Sequence, residues 1–224
     1  MDKKTPHATE TAVTLIADGR RLEGTLALPA SAAGVVLFAH GSGSSRASPR
    51  NRYVARELNA AGIGTLLFDL LTADEDRDYA TRFDIALLTS RLLAATDWIA
   101  EEPAAANLSV GYFGASTGAA AALAAAADRG AAIRAVVSRG GRPDLAGADA
   151  LARVRAPTLL VVGGHDTQVI ELNRLAYARL ACEKSLRIVP GATHLFEEPG
   201  TLEQVAALGC AWFRQWLTEA PPPA

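Results

Sequence analysis

Short apolar runs alternate with longer amphipathic stretches along nearly the whole chain. Val35 to Ala39, Gly64 to Leu71, Asn107 to Phe113, Ile133 to Ser138, Thr158 to Gly163 and Ser185 to Val189 are brief and largely apolar, bounded by glycine, proline or polar clusters. Such runs predict strands buried on both faces. Thr11 to Ala17 and Arg21 to Leu28 predict a hairpin closed by Asp18-Gly19. Helical spacing runs over Arg50 to Ala61, Thr81 to Ala100, Ala119 to Ala127, Leu145 to Val154, Val169 to Ala181 and Leu202 to Leu217. In the second of these, Phe83, Leu87, Leu88, Leu92 and Ile99 fall near one face. Strand and helix in alternation predict an α/β fold: a mainly parallel eight-stranded sheet, an antiparallel hairpin at its edge, and helices on both faces.

Bulk properties narrow this picture. The 224 residues suit a single domain over 1–224, with no internal repeat and no linker to divide it. Residues 1–9 read as a flexible N-terminus and 220–224 as an exposed proline-rich tail. Half of the residues are hydrophobic and the net charge is only −2, which gives no reason to expect nucleic acid or an acidic membrane surface as partner. No uncharged apolar run approaches the ~18 residues of a membrane span, and the first residues lack the apolar segment of a secretory signal. Cys182 and Cys210 fit no metal spacing and no disulfide framework, so both are expected to be reduced, in a cytoplasmic protein.

The chemistry gathers at Gly114-Ala115-Ser116-Thr117-Gly118, between an apolar strand and an alanine-rich helix. A serine on a sharp strand-to-helix turn lifts its hydroxyl clear of the sheet, and the helix start aims N–H groups at developing negative charge. In an open parallel sheet, functional groups collect beyond the carboxyl ends of the strands. The other strand ends deliver His40-Gly41-Ser42-Gly43-Ser44, Gly164-His165-Asp166 and Pro190-Gly-Ala-Thr-His194. The order Ser116, Asp166, His194 is that of α/β-hydrolases.

On these motifs, together with Phe38 to Arg46, Ser48-Pro-Arg-Asn51 and Leu67-Phe-Asp-Leu-Leu71, the chain resembles the dienelactone hydrolase-like α/β-hydrolases that lack a large cap domain. The likeness covers nearly the whole chain. Dienelactone hydrolases proper carry a cysteine nucleophile, whereas position 116 is serine. The resemblance therefore implies the fold and a triad, not dienelactone as substrate.

Roles follow from the side chains. A serine hydroxyl is a poor nucleophile without a base, so His194 is expected to take the Ser116 proton, with Asp166 fixing its tautomer. The backbone N–H groups of Thr117 and Ser42 are the expected oxyanion donors. His40, Leu70, Leu71, Val169, Leu195 and Phe196 are expected to line the substrate pocket, His40 by shaping the oxyanion loop. His165 reads as a solvated or loop-bracing histidine, His7 as part of the terminus, and Asp69 as a structural carboxylate. Arg46, Arg50 and Arg52 form one basic cluster, read as a solvated loop and helix start; Arg139 and Arg142 lie near the same edge, so an acidic substrate stays open without being the favoured reading. No cofactor and no metal is expected, since no histidine spacing suits zinc. The expected activity is hydrolysis of small or short-chain carboxylic esters through an acyl-enzyme. Thioester, lactone or amide hydrolysis by the same residues, and a non-catalytic binding protein on the same fold, are the alternatives. The expected partner is a small-molecule ester. Trp212, Phe213 and Trp216 cannot all face the core, so the chain is expected to be a monomer or a homodimer.

Overall fold

The computed structural model describes residues 8–218. One eight-stranded sheet runs through it: β1 (Thr9–Ala17), β2 (Arg20–Leu28), β3 (Val35–Ala39), β4 (Gly64–Phe68), β5 (Val110–Ala115), β6 (Ile133–Arg139), β7 (Thr158–Gly163) and β8 (Lys184–Val189), in spatial order 1-2-4-3-5-6-7-8. β1 pairs antiparallel with β2, and β2 antiparallel with β4; every later pairing is parallel. The helices are α1 (Pro49–Ala60), α2 (Ile85–Glu101), α3 (Thr117–Arg129), α4 (Ala148–Arg153), α5 (Thr167–Arg179) and α6 (Thr201–Thr218).

Two cores follow from the alternation of side chains along the central strands. Val36 and Phe38 of β3, with Phe113, Val137 and Val161, pack under α1 and α6. Leu37, Tyr112, Val136 and Leu160 point the other way, under α2, α3, α4 and α5. β3 is fully buried because both of its faces are covered. The chain leaves β3 toward β4 on one side and returns through α2 to β5 on the other. The strand order thus reverses between β3 and β5, the crevice where open α/β sheets hold ligands.

Local chemistry moved several expected boundaries. The fourth strand stops at Phe68 and not at Leu71; beyond Asp69 the Leu70 N–H donates to His40 Nε2 at 2.9 Å and not to a neighbouring strand. The helix expected from Thr81 begins at Ile85. Asp84 caps it by accepting the Leu87 N–H at 3.0 Å, and residues 81–83 form a separate 3₁₀ turn. Phe83 is therefore off the helix face, half exposed, with its ring 5.0 Å from that of Tyr79. The helix expected over Leu145 to Val154 is broken at Gly147, which has φ +83°. Thr9, expected in the flexible terminus, is paired with Leu28 in β1; residues 1–7 and 219–224 lie outside the described residues, and His7 with them.

Candidate active site

The turn after β5 is strained at the serine. Ser116 has φ +50° and ψ −121°, a sparsely populated conformation for an L-residue that costs ~1–3 kcal/mol. Its neighbours hold it there. The Ser116 carbonyl accepts N–H bonds from Ala119 at 3.1 Å and Arg142 at 3.0 Å, and its own N–H reaches the Arg139 carbonyl at 3.4 Å. The two glycines of the motif are demanded by contact. A Cβ at Gly114 would lie 2.4 Å from Ala119 Cα, and one at Gly118 would lie 2.1 Å from the Ala39 carbonyl oxygen. Helix α3 can thus press its buried alanine face against the sheet, with its first N–H groups, Thr117's included, at the serine.

Across the site, His194 Nδ1 lies 2.6 Å from Asp166 Oδ2. This contact orients the imidazole and leaves Nε2 on the far side of the ring. The two loops that carry the pair are stitched together by backbone bonds, His165 N–H to Ala192 O at 2.9 Å and Gly164 N–H to Val189 O at 2.8 Å. They come so close that a Cβ at Gly163 would lie 2.5 Å from the carbonyl oxygens of both Ala192 and Thr193. Glu198 accepts the Thr193 N–H at 3.0 Å, and that bonding holds its carboxyl below the ordinary range. Residues 139–142 tie serine to histidine: they bond the Ser116 backbone, and a Cβ at Gly140 would sit 3.0 Å from the His194 carbonyl oxygen and 3.6 Å from Nδ1. Asn173, wholly buried on α5, donates to the Gly141 carbonyl at 3.0 Å and fixes that segment.

The loop after β3 lies against the serine, since a Cβ at Gly41 would fall 2.9 Å from Ser116 Cβ. His40 is its brace. Nε2 accepts the Leu70 N–H at 2.9 Å, so Nδ1 carries the proton and donates to the Gly41 carbonyl at 3.0 Å. Burial pulls its pKa down, which keeps this neutral tautomer. The Ser42 N–H donates to Thr117 Oγ1 at 3.0 Å. Both expected oxyanion donors thus belong to residues bonded to each other, and the Ser42 donor already has a partner.

The expected pocket walls divide. His40 and Leu71 line a cavity of ≈ 230 Å³ with Ser44, Ser45, Asp69, Thr72, Ala73 and Asp76. His40 reaches that cavity while its two ring nitrogens brace the loop after β3. Leu70 and Phe196 are corrections: at 0% and 2% exposure they belong to the two cores, Leu70 under α2 and Phe196 under α6. Val169 is nearly buried at the first turn of α5, and Leu195 is half exposed beside His194. Asp69 is the structural carboxylate expected, paired with Arg46 through both backbone and side chain. Arg142 is bound by Asp144 at 2.9 and 2.8 Å, which raises its pKa. Arg50 pairs with Glu197 at 3.1 Å. The roles of Asn173 and Glu198 are invisible to sequence reasoning, because an asparagine inside a helix and a glutamate in a loop carry no mark.

The sheet order, the serine turn and the hydrogen-bonded histidine define the class: an alpha/beta hydrolase fold without a large cap. The comparisons agree. The alpha/beta hydrolase domain family matches residues 32–207, and the chain belongs to that family. A dienelactone hydrolase from Anabaena variabilis has 56% sequence identity and a TM-score of 0.91, over 94% of this chain and 99% of that one. The chain is thus dienelactone hydrolase-like. An esterase domain from Rhodothermus marinus shares the fold, with TM-score 0.75 at 22% identity over 93% of this chain and 99% of that one. A Mycobacterium tuberculosis (strain CDC 1551 / Oshkosh) protein named "Putative phosphoribosyl transferase" is 60% identical over 210 residues, 94% of this chain and 47% of that protein. The chain spans about half the length of the curated relatives it matches. No helix among the described residues is long and apolar enough to cross a membrane.

Proposed function

We propose that the protein hydrolyses carboxylic esters through Ser116, His194 and Asp166. The observation that carries this reading is the His194–Asp166 contact at 2.6 Å, on a loop whose neighbour, the 139–142 segment, also bonds the strained Ser116 turn. In this mechanism His194 Nε2 takes the Ser116 hydroxyl proton as Oγ attacks the ester carbonyl. Nδ1–H bonded to Asp166 stabilises the imidazolium that forms. The oxyanion accepts the Thr117 N–H, one of the donors that a helix start leaves unpaired, and the Ser42 N–H once it turns from Thr117 Oγ1. The imidazolium returns the proton to the leaving alcohol, an acyl-enzyme remains, and water activated by His194 releases the acid.

No helical insertion larger than the segments 69–84 and 140–147 stands over this edge among the described residues, which supports small or short-chain esters. The same chemistry serves a thioester or lactone. The test is turnover of 4-nitrophenyl acetate and labelling by a fluorophosphonate, comparing the protein with Ser116→Ala. Loss of both in the variant is expected. Retained turnover or retained labelling overturns the assignment of Ser116.

A further inference from the structure

One face of the β1–β2 hairpin has no helix packed on it. α1 lies over β3 and β4, where Val54, Ala55 and Leu58 join Val36 and Phe38, and no residue of β1 or β2 enters that core. The sheet runs on past the helix through two rungs: Thr65, Ala27 and Glu10 in one, Leu67, Thr25 and Ala12 in the other. The step from helix to bare sheet leaves a groove of ≈ 350 Å³, and none of Ser116, Asp166 and His194 lines it. Arg52 and Arg56, one turn apart on α1, line the helix side, and Glu10 of β1 lines the other. Arg46 also lines the groove, but its charge is matched by Asp69. The guanidinium groups of Arg52 and Arg56 have no ion pair or hydrogen bond among the described residues, and the Glu10 carboxylate has none either. The floor holds a further unused donor. Thr65, 1% exposed, accepts an N–H from the Asn59 side chain at 3.1 Å, while the other N–H of that amide goes to the Ile63 carbonyl at 2.9 Å. The Thr65 hydroxyl proton therefore has no acceptor among the described residues, although buried polar groups are normally satisfied.

We propose that this groove is a binding site for a sugar phosphate, with the phosphate held by Arg52 and Arg56 and the sugar hydroxyls lying over Thr65 toward Glu10. A phosphate monoester carries about −1.5 to −2 charge at neutral pH, which two guanidinium groups match, whereas a lone carboxylate leaves one of them unmatched. An ionised Glu10 only accepts hydrogen bonds, so its side of the groove suits hydroxyl groups and repels a second anionic group. No aromatic side chain lines the groove, so a nucleobase would find no ring to stack on, which favours a sugar phosphate over a nucleotide. The volume lies near the lower end of small-molecule sites, ~300–1,000 Å³. The site stands apart from the serine chemistry, so its test is a binding measurement that does not depend on Ser116.

Calorimetry tests it with ribose 5-phosphate, ribose, inorganic phosphate and AMP as separate probes. Ribose 5-phosphate is expected to bind more tightly than inorganic phosphate, AMP no more tightly than ribose 5-phosphate, and ribose not measurably. In the Arg52→Met, Arg56→Met double variant, ribose 5-phosphate should bind about 10- to 100-fold more weakly, the worth of a hydrogen bond to a charged group. Both arginines are exposed, so the variant should keep the urea stability of the parent. Glu10→Ala should weaken ribose 5-phosphate while leaving inorganic phosphate as tight as in the parent or tighter, since a hydroxyl acceptor and a repelling charge go together. No binding of ribose 5-phosphate at millimolar concentration overturns the site, and so does an affinity within twofold of the parent in a stably folded double variant. Inorganic phosphate binding as tightly as ribose 5-phosphate, or a Glu10→Ala protein with the parental ratio of the two, overturns the sugar half of the assignment. AMP binding more than tenfold tighter than ribose 5-phosphate overturns the ligand class.

Discussion

Gly118→Ala should reverse the ordinary effect of its substitution. Gly118 lies inside α3 with helical backbone, where alanine is normally better by ~1 kcal/mol. Here the new Cβ would meet Ala39 O at 2.1 Å, His40 O at 2.5 Å and Ala39 C at 2.6 Å. These are backbone atoms at the end of β3, a strand paired on both sides, so they cannot rotate away. Relief to ordinary contact requires α3 to withdraw by about 1 Å or the loop after β3 to lift. Overpacking of this kind costs ~1–3 kcal/mol, which outweighs the gain in propensity. The same shift draws Thr117 Oγ1 away from the Ser42 N–H that donates to it and moves the Thr117 N–H, and a misplacement of ~1 Å in a catalytic constellation costs about 100-fold in rate. Gly62→Ala is the control. Gly62 has φ +82° but nothing within 4 Å of the place its new methyl would take, so only backbone strain of ~1–2 kcal/mol is expected, with the turnover of the parent protein intact. Urea denaturation measures stability, and 4-nitrophenyl acetate turnover measures the site. A Gly118→Ala protein at least as stable as the parent, with parental kcat, would refute the claim that contact with β3 sets this glycine.

Asp166→Asn keeps the shape but removes the charge that the proposed mechanism sets against the imidazolium; kcat should fall about 10⁴-fold with circular dichroism unchanged, and a loss under tenfold would remove Asp166 from that mechanism. Thr117→Val deletes the hydroxyl that pins the loop after β3 in the resting protein; re-ordering the freed loop before its Ser42 N–H can turn to the oxyanion, a cost of about 1 kcal/mol, should lower kcat/KM roughly fivefold, and Thr117→Ser should recover it. A valine variant as active as the parent, or a serine variant as poor as valine, contradicts that role. His40 gives a pH signature. Its folded pKa is depressed, so its contribution is present above the unfolded value of 6.5 and is lost as pH falls from there toward the folded pKa, by at most ~1.4 kcal/mol per pH unit. The stability gap between the parent and His40→Asn, measured in urea, should therefore narrow between pH 7 and pH 5; a constant gap would show that His40 is not held neutral.

Much of the architecture was legible because period and punctuation are local. Val35 to Ala39 and Thr158 to Gly163 are uninterrupted apolar runs, and both strands have those ends. The hairpin followed from Asp18-Gly19, whose positive φ values of 47° and 71° the turn requires. The serine turn was readable for the same reason, since glycines on either side of a serine between strand and helix form a contiguous pattern. What the sequence alone determined was which residue types stand at the ends of which strands.

Tertiary structure decided how those ends use their atoms. That Leu70 and Phe196 turn into the cores, that the Ser42 N–H is held by Thr117, and that His40 is locked in one tautomer by Leu70 depend on groups 30 to 75 residues apart meeting. Arg139 makes the point most sharply. In sequence it is one arginine among several near a loop, and only the tertiary structure shows that Asp144 pairs with Arg142 and Asp69 with Arg46 while the buried Nε and Nη1 of Arg139 are left without a hydrogen-bond partner. Whether a charge is matched is a property of the space around it, and no local pattern encodes that space.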